Sequence, residues 1–137
     1  MQVLPVASGK GGVGKSLVAA NLSIALAQAG KKVIIADLDL GGSNLHTVLG
    51  MRAPAAGIGT FLNRKNVDFS EIVLSTDYKN LEFIPGDAEI PGIANLKSHQ
   101  KRTLTRKMLE LEADYLVLDL GSGTTFNTLD FFLLSSR

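Results

Sequence analysis

Cysteine is absent from all 137 residues. That removes disulfides, thiolate metal sites, cysteine nucleophiles and thiolate-bound iron–sulfur clusters together, and makes the reducing cytosol the expected compartment. Charge of one sign is not in excess either: 14 Lys and Arg stand against 13 Asp and Glu, a net +1. The whole-chain balance therefore gives no reason to expect nucleic acid or an anionic membrane as partner, though it leaves room for a local basic patch. Long apolar runs are missing too, the longest being pieces such as Phe131 to Leu134, far short of the ~20 residues a spanning helix needs. No transmembrane segment is expected. Near Met1 no basic leader with an apolar stretch and cleavage site occurs, because Val3 to Ala7 runs straight into Ser8-Gly9-Lys10, so secretion is not expected. What is present is a 45% apolar composition, enough for one soluble domain with a real core.

Val3 to Ala7, Val33 to Ala36 and Tyr115 to Leu118 are short apolar runs without alternation, and Leu81 to Ile84, with Glu82 as its one charged residue, reads likewise. Such runs suit strands buried on both faces of a parallel sheet. Between the first two, Leu17 to Ala29 is rich in alanine and leucine and is closed by Gly30, a helix and its stop signal. Gln100 to Glu112 places Leu104, Met108 and Leu111 at helical spacing and leads into the Tyr115 strand, which implies a second crossover. Leu45 to Leu49, with Asn44 as its N-cap, Ile58 to Leu62 and Phe69 to Leu74 read as short helices. There is no internal repeat, low-complexity tract or linker. The expected architecture is one α/β layer domain with a mainly parallel sheet and right-handed crossovers.

The segment Gly9-Lys10-Gly11-Gly12-Val13-Gly14-Lys15-Ser16 satisfies GxxxxGK[ST] between an expected strand and an expected helix, the context that gives this motif its meaning. Glycines let successive backbone N–H groups turn toward one centre, and the helix N-terminus adds partial positive charge. Together they favour a phosphate. Lys15 would neutralise the β and γ phosphates, and the Ser16 hydroxyl would ligate the Mg²⁺ that bridges them. Residues Gly9 to Leu17 are thus the expected cofactor-binding stretch, the part that holds a nucleotide's phosphates. An ordinary glycine-rich turn would account for the glycines but not for Lys15-Ser16.

Acids stand at the ends of two expected strands: Asp37-Leu38-Asp39 after Val33 to Ala36, and Asp119 after Tyr115 to Leu118. Ligands bind at the carboxyl edge of such sheets. A carboxylate on a rigid strand end near a phosphate loop suits Mg²⁺, which prefers oxygen ligands, and Asp119 is assigned that role. If the strand continues past Ala36, alternation points Asp37 and Asp39 the same way. Asp39 is the preferred candidate for reaching the γ phosphate or its attacking water. Each aspartate could instead be a turn or cap residue.

Taken together, these residues resemble the MinD/ParA family of deviant-Walker ATPases, P-loop proteins of the SIMIBI class whose loop carries an extra lysine in KGGxGK[ST], here Lys10 to Ser16. The similarity continues through Asp37-Leu38-Asp39-Leu40-Gly41, like the family's first switch, and Asp119-Leu120-Gly121-Ser122-Gly123, like its second. It implies a three-layer P-loop fold, ATP and Mg²⁺ as cofactors, and ATP hydrolysis. It also implies that Lys10 crosses an ATP-sandwiched homodimer to the partner's phosphates, with Gly12 at the contact. Asp39 would then position the hydrolytic water and contribute with Ser16 and Asp119 to the Mg²⁺ site. Ser43-Asn44-Leu45-His46 and Phe126-Asn127-Thr128-Leu129-Asp130 resemble uncharacterised bacterial MinD/ParA-like proteins more than any division, segregation or flagellar-number member. Absence of cysteine argues against the iron–sulfur-carrying relatives.

Family members usually continue well beyond the position of Arg137, so residues 1–137 are expected to be the N-terminal part of a longer ATPase domain. The residues that read adenine, and any peripheral membrane or DNA contact, would then lie outside the chain. Phe126, Leu129 and Phe131 to Leu134 would be left uncovered beside a sheet edge near Asp119. The 137-residue form is accordingly expected to self-associate without nucleotide. Two functional readings stand: an ATP-hydrolysing switch that dimerises to control a protein partner or its placement in the cytoplasm or at the inner membrane face, and a non-hydrolysing nucleotide- or phosphate-binding module. Lys97, Lys101, Arg102, Arg106 and Lys107 gather around His99 and read as a solvated helix face. His46 and His99 are too isolated to suggest a metal site.

Overall fold

The computed structural model describes residues 1–6, 13–38, 45–52, 54, 56–64, 66–86 and 96–120, with the side chains of 13–16 also outside the description. In chain order the elements are strand β1 (Gln2–Val6), helix α1 (Val13–Gln28), strand β2 (Val33–Asp37), helices α2 (Leu45–Val48) and α3 (Ile58–Asn63), a 3-10 turn (Phe69–Ile72), strands β3 (Leu74–Ser75) and β4 (Leu81–Ile84), helix α4 (Ser98–Leu109) and strand β5 (Tyr115–Asp119).

The sheet runs β1-β5-β2-β4-β3, parallel throughout except for the antiparallel β3 at its edge. A strand buried on both faces needs apolar side chains on both, and all five residues of β2 are buried. Alternation divides them. Ile34 and Ala36 face a core shared with Ile58 of α3, Phe69 and Ile72 of the 3-10 turn, and Leu104 and Met108 of α4. Val33 and Ile35 face the opposite core, with Ala19, Ala20 and Ala27 of α1 and Leu45 of α2. The result is three layers, helix on sheet on helix, as expected from the unalternated strands.

Small residues let α1 lie close to the sheet, and the buried Ser23 hydroxyl is satisfied inside the helix by donating to the Ala19 carbonyl at 2.9 Å. Gly30, with φ +89°, closes the helix in the left-handed region, and its N–H donates to the Ala27 carbonyl at 3.0 Å. α4 begins where the Gln100 side chain turns back to accept the Lys97 N–H at 3.0 Å.

Four expectations are corrected. α1 starts at Val13 rather than Leu17, and α4 spans Ser98–Leu109 rather than Gln100 to Glu112. Phe69 to Leu74 is helical only over Phe69–Ile72, as a single 3-10 turn that buries Phe69 and Ile72, three apart, and Leu74 passes into β3. Finally, the strand that ends at Asp119 is no sheet edge, because β5 lies between β1 and β2 and the described edges are β1 and β3.

Candidate functional site

β1, β2, β4 and β5 run the same way, so their carboxyl ends form one edge of the sheet, and the chain leaving β1 there returns as α1 from Val13. α1 packs on β1, β2 and β5. Lys15 and Ser16 thus fall in the first turn of a helix that starts at this edge, the placement an anion-binding helix terminus requires. Gly9, Lys10, Gly11, Gly12, Asp39 and Asn44 lie outside the described residues, as do the side chains of Val13, Gly14, Lys15 and Ser16. Leu17 is 47% exposed on α1.

Asp37 and Asp119 are brought together. They end β2 and β5 and are register partners, and the link continues as the Leu38 N–H donates to the Asp119 carbonyl at 2.9 Å. Both are buried, 1% and 0% exposed. Asp119 shares its face of β5 with Val117, and Asp37 its face of β2 with Val33 and Ile35, the side covered by α1 and α2. The Asp37 carboxylate also accepts the Leu45 N–H at 3.4 Å, tying the strand end to the start of α2.

Of the two acids Asp37 and Asp39, Asp37 is the one that lies within the described residues. β2 ends at Asp37. The usable signal was burial: an acid ending a fully apolar parallel strand is held in the edge rather than beyond it. Among the described residues no group of three or more His, Asp or Glu gathers for a metal. The donor set is a pair of buried carboxylates beside a helix N-terminus, hard oxygen ligands of the type Mg²⁺ takes. No helix of the described residues is long and apolar enough to cross a membrane.

Residues 1–133 match the ParA family model, described as the NUBPL iron-transfer P-loop NTPase. The septum site-determining protein MinD of Helicobacter pylori is 34% identical over 122 residues, which cover 88% of this chain and 45% of that protein. The iron–sulfur cluster carrier protein of Bacillus subtilis is 35% identical over 127 residues, 93% of this chain and 35% of the carrier. Among solved structures, MinD of Pyrococcus horikoshii, complexed with Mg-ADP, matches with a TM-score of 0.74 at 27% identity, covering 96% of this chain and 54% of that one. The chain spans less than half the length of both curated relatives. One of these relatives carries iron–sulfur clusters, whereas the 137 residues here contain no thiol. With the phosphate-loop pattern, the mainly parallel sheet layered between helices and a family match over nearly its whole length, the chain belongs to the ParA family of P-loop NTPases.

Proposed function

We propose that residues 1–137 are the nucleotide-binding part of an ATP-hydrolysing switch of the MinD/ParA type, in which two copies join around Mg–ATP and hydrolysis separates them. The observation that carries this reading is the in-register pair of buried carboxylates, Asp37 and Asp119, at the sheet edge where the GxxxxGKS loop leads into α1. Glycine-loop N–H groups and Lys15 would hold the phosphates. Ser16 and Asp119, with Asp37 beside them, would hold Mg²⁺, which when bound offsets the charge that gathers on the phosphate oxygens. Asp39 would orient the water. That water adds to the γ phosphorus as the β–γ phosphoanhydride bond breaks, giving ADP and phosphate. Lys10 would reach the phosphates of the second copy. Mg-ADP in the Pyrococcus MinD structure supports the choice of nucleotide and metal. The setting is cytoplasmic, and the partner released on hydrolysis is a second protein.

Phosphate release from the full-length protein, measured beside an Asp39→Ala variant, tests this. Turnover that needs Asp39 is expected. Nucleotide binding without turnover would favour the phosphate-binding module instead, and turnover indifferent to Asp39 would overturn the assignment of that residue.

A further inference from the structure

Helix α4 carries a charge imbalance that the nucleotide site does not use. From Lys97 to Glu110 there are five cations and one carboxylate, net +4 in a chain of net +1, so the remaining residues sum to −3. Leu104, Thr105 and Met108 are buried against the core. That packing turns His99, Arg102 and Arg106 outward at spacings of three and four, and all three are exposed. Lys97, the exposed N-cap, precedes the line, and Leu109, 38% exposed and three residues after Arg106, closes it. Among the described residues, Lys97, Arg102 and Arg106 have no carboxylate within ion-pair distance. Lys107 is set apart in a cleft of about 270 Å³ that it shares with Asp68 and Glu110.

The face is therefore one helix wide and, from His99 to Leu109, roughly 15 Å long at 1.5 Å per residue. Its N-terminal end follows β4, which places Lys97 toward the sheet edge that holds Asp37 and Asp119. We propose that this face of α4 docks an acidic segment of a partner protein, a run of Asp and Glu with an apolar side chain that meets Leu109.

Width decides among the anions. Asp68 and Glu110 border the stripe at the cleft, and the exposed Glu112 and Asp114 follow the helix. Duplex DNA or an anionic bilayer presents a broad negative surface and would bring its charge against these carboxylates as well, whereas a single acidic strand or helix follows the cations alone. A bilayer is further disfavoured because the apolar side of α4 is committed to the core, leaving Leu109 as its exposed large hydrophobic residue. The inference is independent of whether the protein hydrolyses ATP.

The test uses the whole chain and a short fluorescein-labelled glutamate-rich peptide containing leucine, followed by anisotropy. Binding should weaken as salt rises. Arg102→Glu with Arg106→Glu should lower affinity about tenfold or more, and Arg102→Gln with Arg106→Gln should fall between. Lys79→Glu, on the exposed turn before β4, should bind like the parent. The glutamine pair keeps helix-forming side chains, so it answers the question even if charge reversal disturbs folding, which circular dichroism reports. Equal binding by the glutamine pair and the parent would overturn the proposal. So would tighter binding to duplex DNA or to phosphatidylserine vesicles than to the peptide.

Discussion

Asp37 and Asp119 lie opposite one another on neighbouring parallel strands, both buried, at the end of the sheet from which α1 departs. Neighbouring strands lie about 4.8 Å apart, so register partners such as these place both carboxyl groups on one side of the same sheet edge. The pair is therefore a built feature of the edge rather than two independent turn residues.

Asp119→Asn keeps the shape of the side chain and removes its charge. Nucleotide affinity in the presence of Mg²⁺ should fall about tenfold, or ~1.4 kcal/mol, while affinity in its absence changes little. Calorimetry with and without Mg²⁺ measures both, and an unchanged metal dependence would remove Asp119 from the site. Asp37→Asn retains an oxygen that can accept the Leu45 N–H. It should therefore melt above Asp37→Ala, which should lose about 1 kcal/mol as α2 loses its tie to β2.

The two loop lysines should separate by experiment. Lys15→Ala should weaken Mg–ATP binding by on the order of 2 kcal/mol, because a phosphate cluster loses its direct counter-charge. Lys10→Ala should leave monomer binding nearly intact and abolish ATP-dependent dimerisation, seen by light scattering with ATP. A Lys10 variant that still dimerises would confine that lysine to its own loop.

Gly57 is a position where space, not backbone freedom, demands glycine. Its φ of −154° is extended, but a Cβ there would stand 2.5 Å from the Pro85 carbonyl oxygen and 3.1 Å from the Gly86 backbone carbon. That same Pro85 oxygen accepts the Ile58 N–H at 2.9 Å, joining the start of α3 to the end of β4. Gly57→Ala must push the two apart and should cost about 1 to 3 kcal/mol. Thermal melts decide, and a melt equal to the parent would show that the loop after β4 yields.

How much of this was legible in the sequence varies from residue to residue. Val33 to Ala36 announced itself because a strand covered on both faces carries apolar residues throughout, and Leu81 to Ile84 did so with only the half-buried Glu82 breaking the run. β3 did not: two residues, Leu74 and Ser75, cannot show a period, and they exist as a strand only because β4 offers an edge. The first turn of α1 was hidden by Gly14, which lowers helix propensity by about 1 kcal/mol and is overruled here by the helix that follows it. Strand order was not legible at all. Nothing in Tyr115 to Asp119 says that it enters between β1 and β2, yet that insertion is what sets Asp119 beside Asp37. The phosphate loop was legible as a motif, since fixed chemistry at fixed spacing survives without knowledge of packing.

Pro5 lies on β1, an outer strand of the described sheet. The Gln2 N–H donates to the Asp114 carbonyl and the Leu120 N–H to the Val6 carbonyl, each at 3.0 Å, so in the parallel ladder Gln2, Leu4 and Val6 face β5 while Val3 and Pro5 face the other way. Among the described residues nothing pairs with that outer side. Proline removes one of its donors without removing a bond to β5, the use to which edge prolines are put. Pro5→Val should therefore leave the β1–β5 ladder intact and cost about 1 kcal/mol or less, through the freer unfolded chain. It should also create an outward N–H that a second copy can accept, so nucleotide-free self-association should increase. Sedimentation at several concentrations measures this, and identical profiles for parent and variant would show that the outer side of β1 is already covered or that Pro5 has no part in keeping it unpaired.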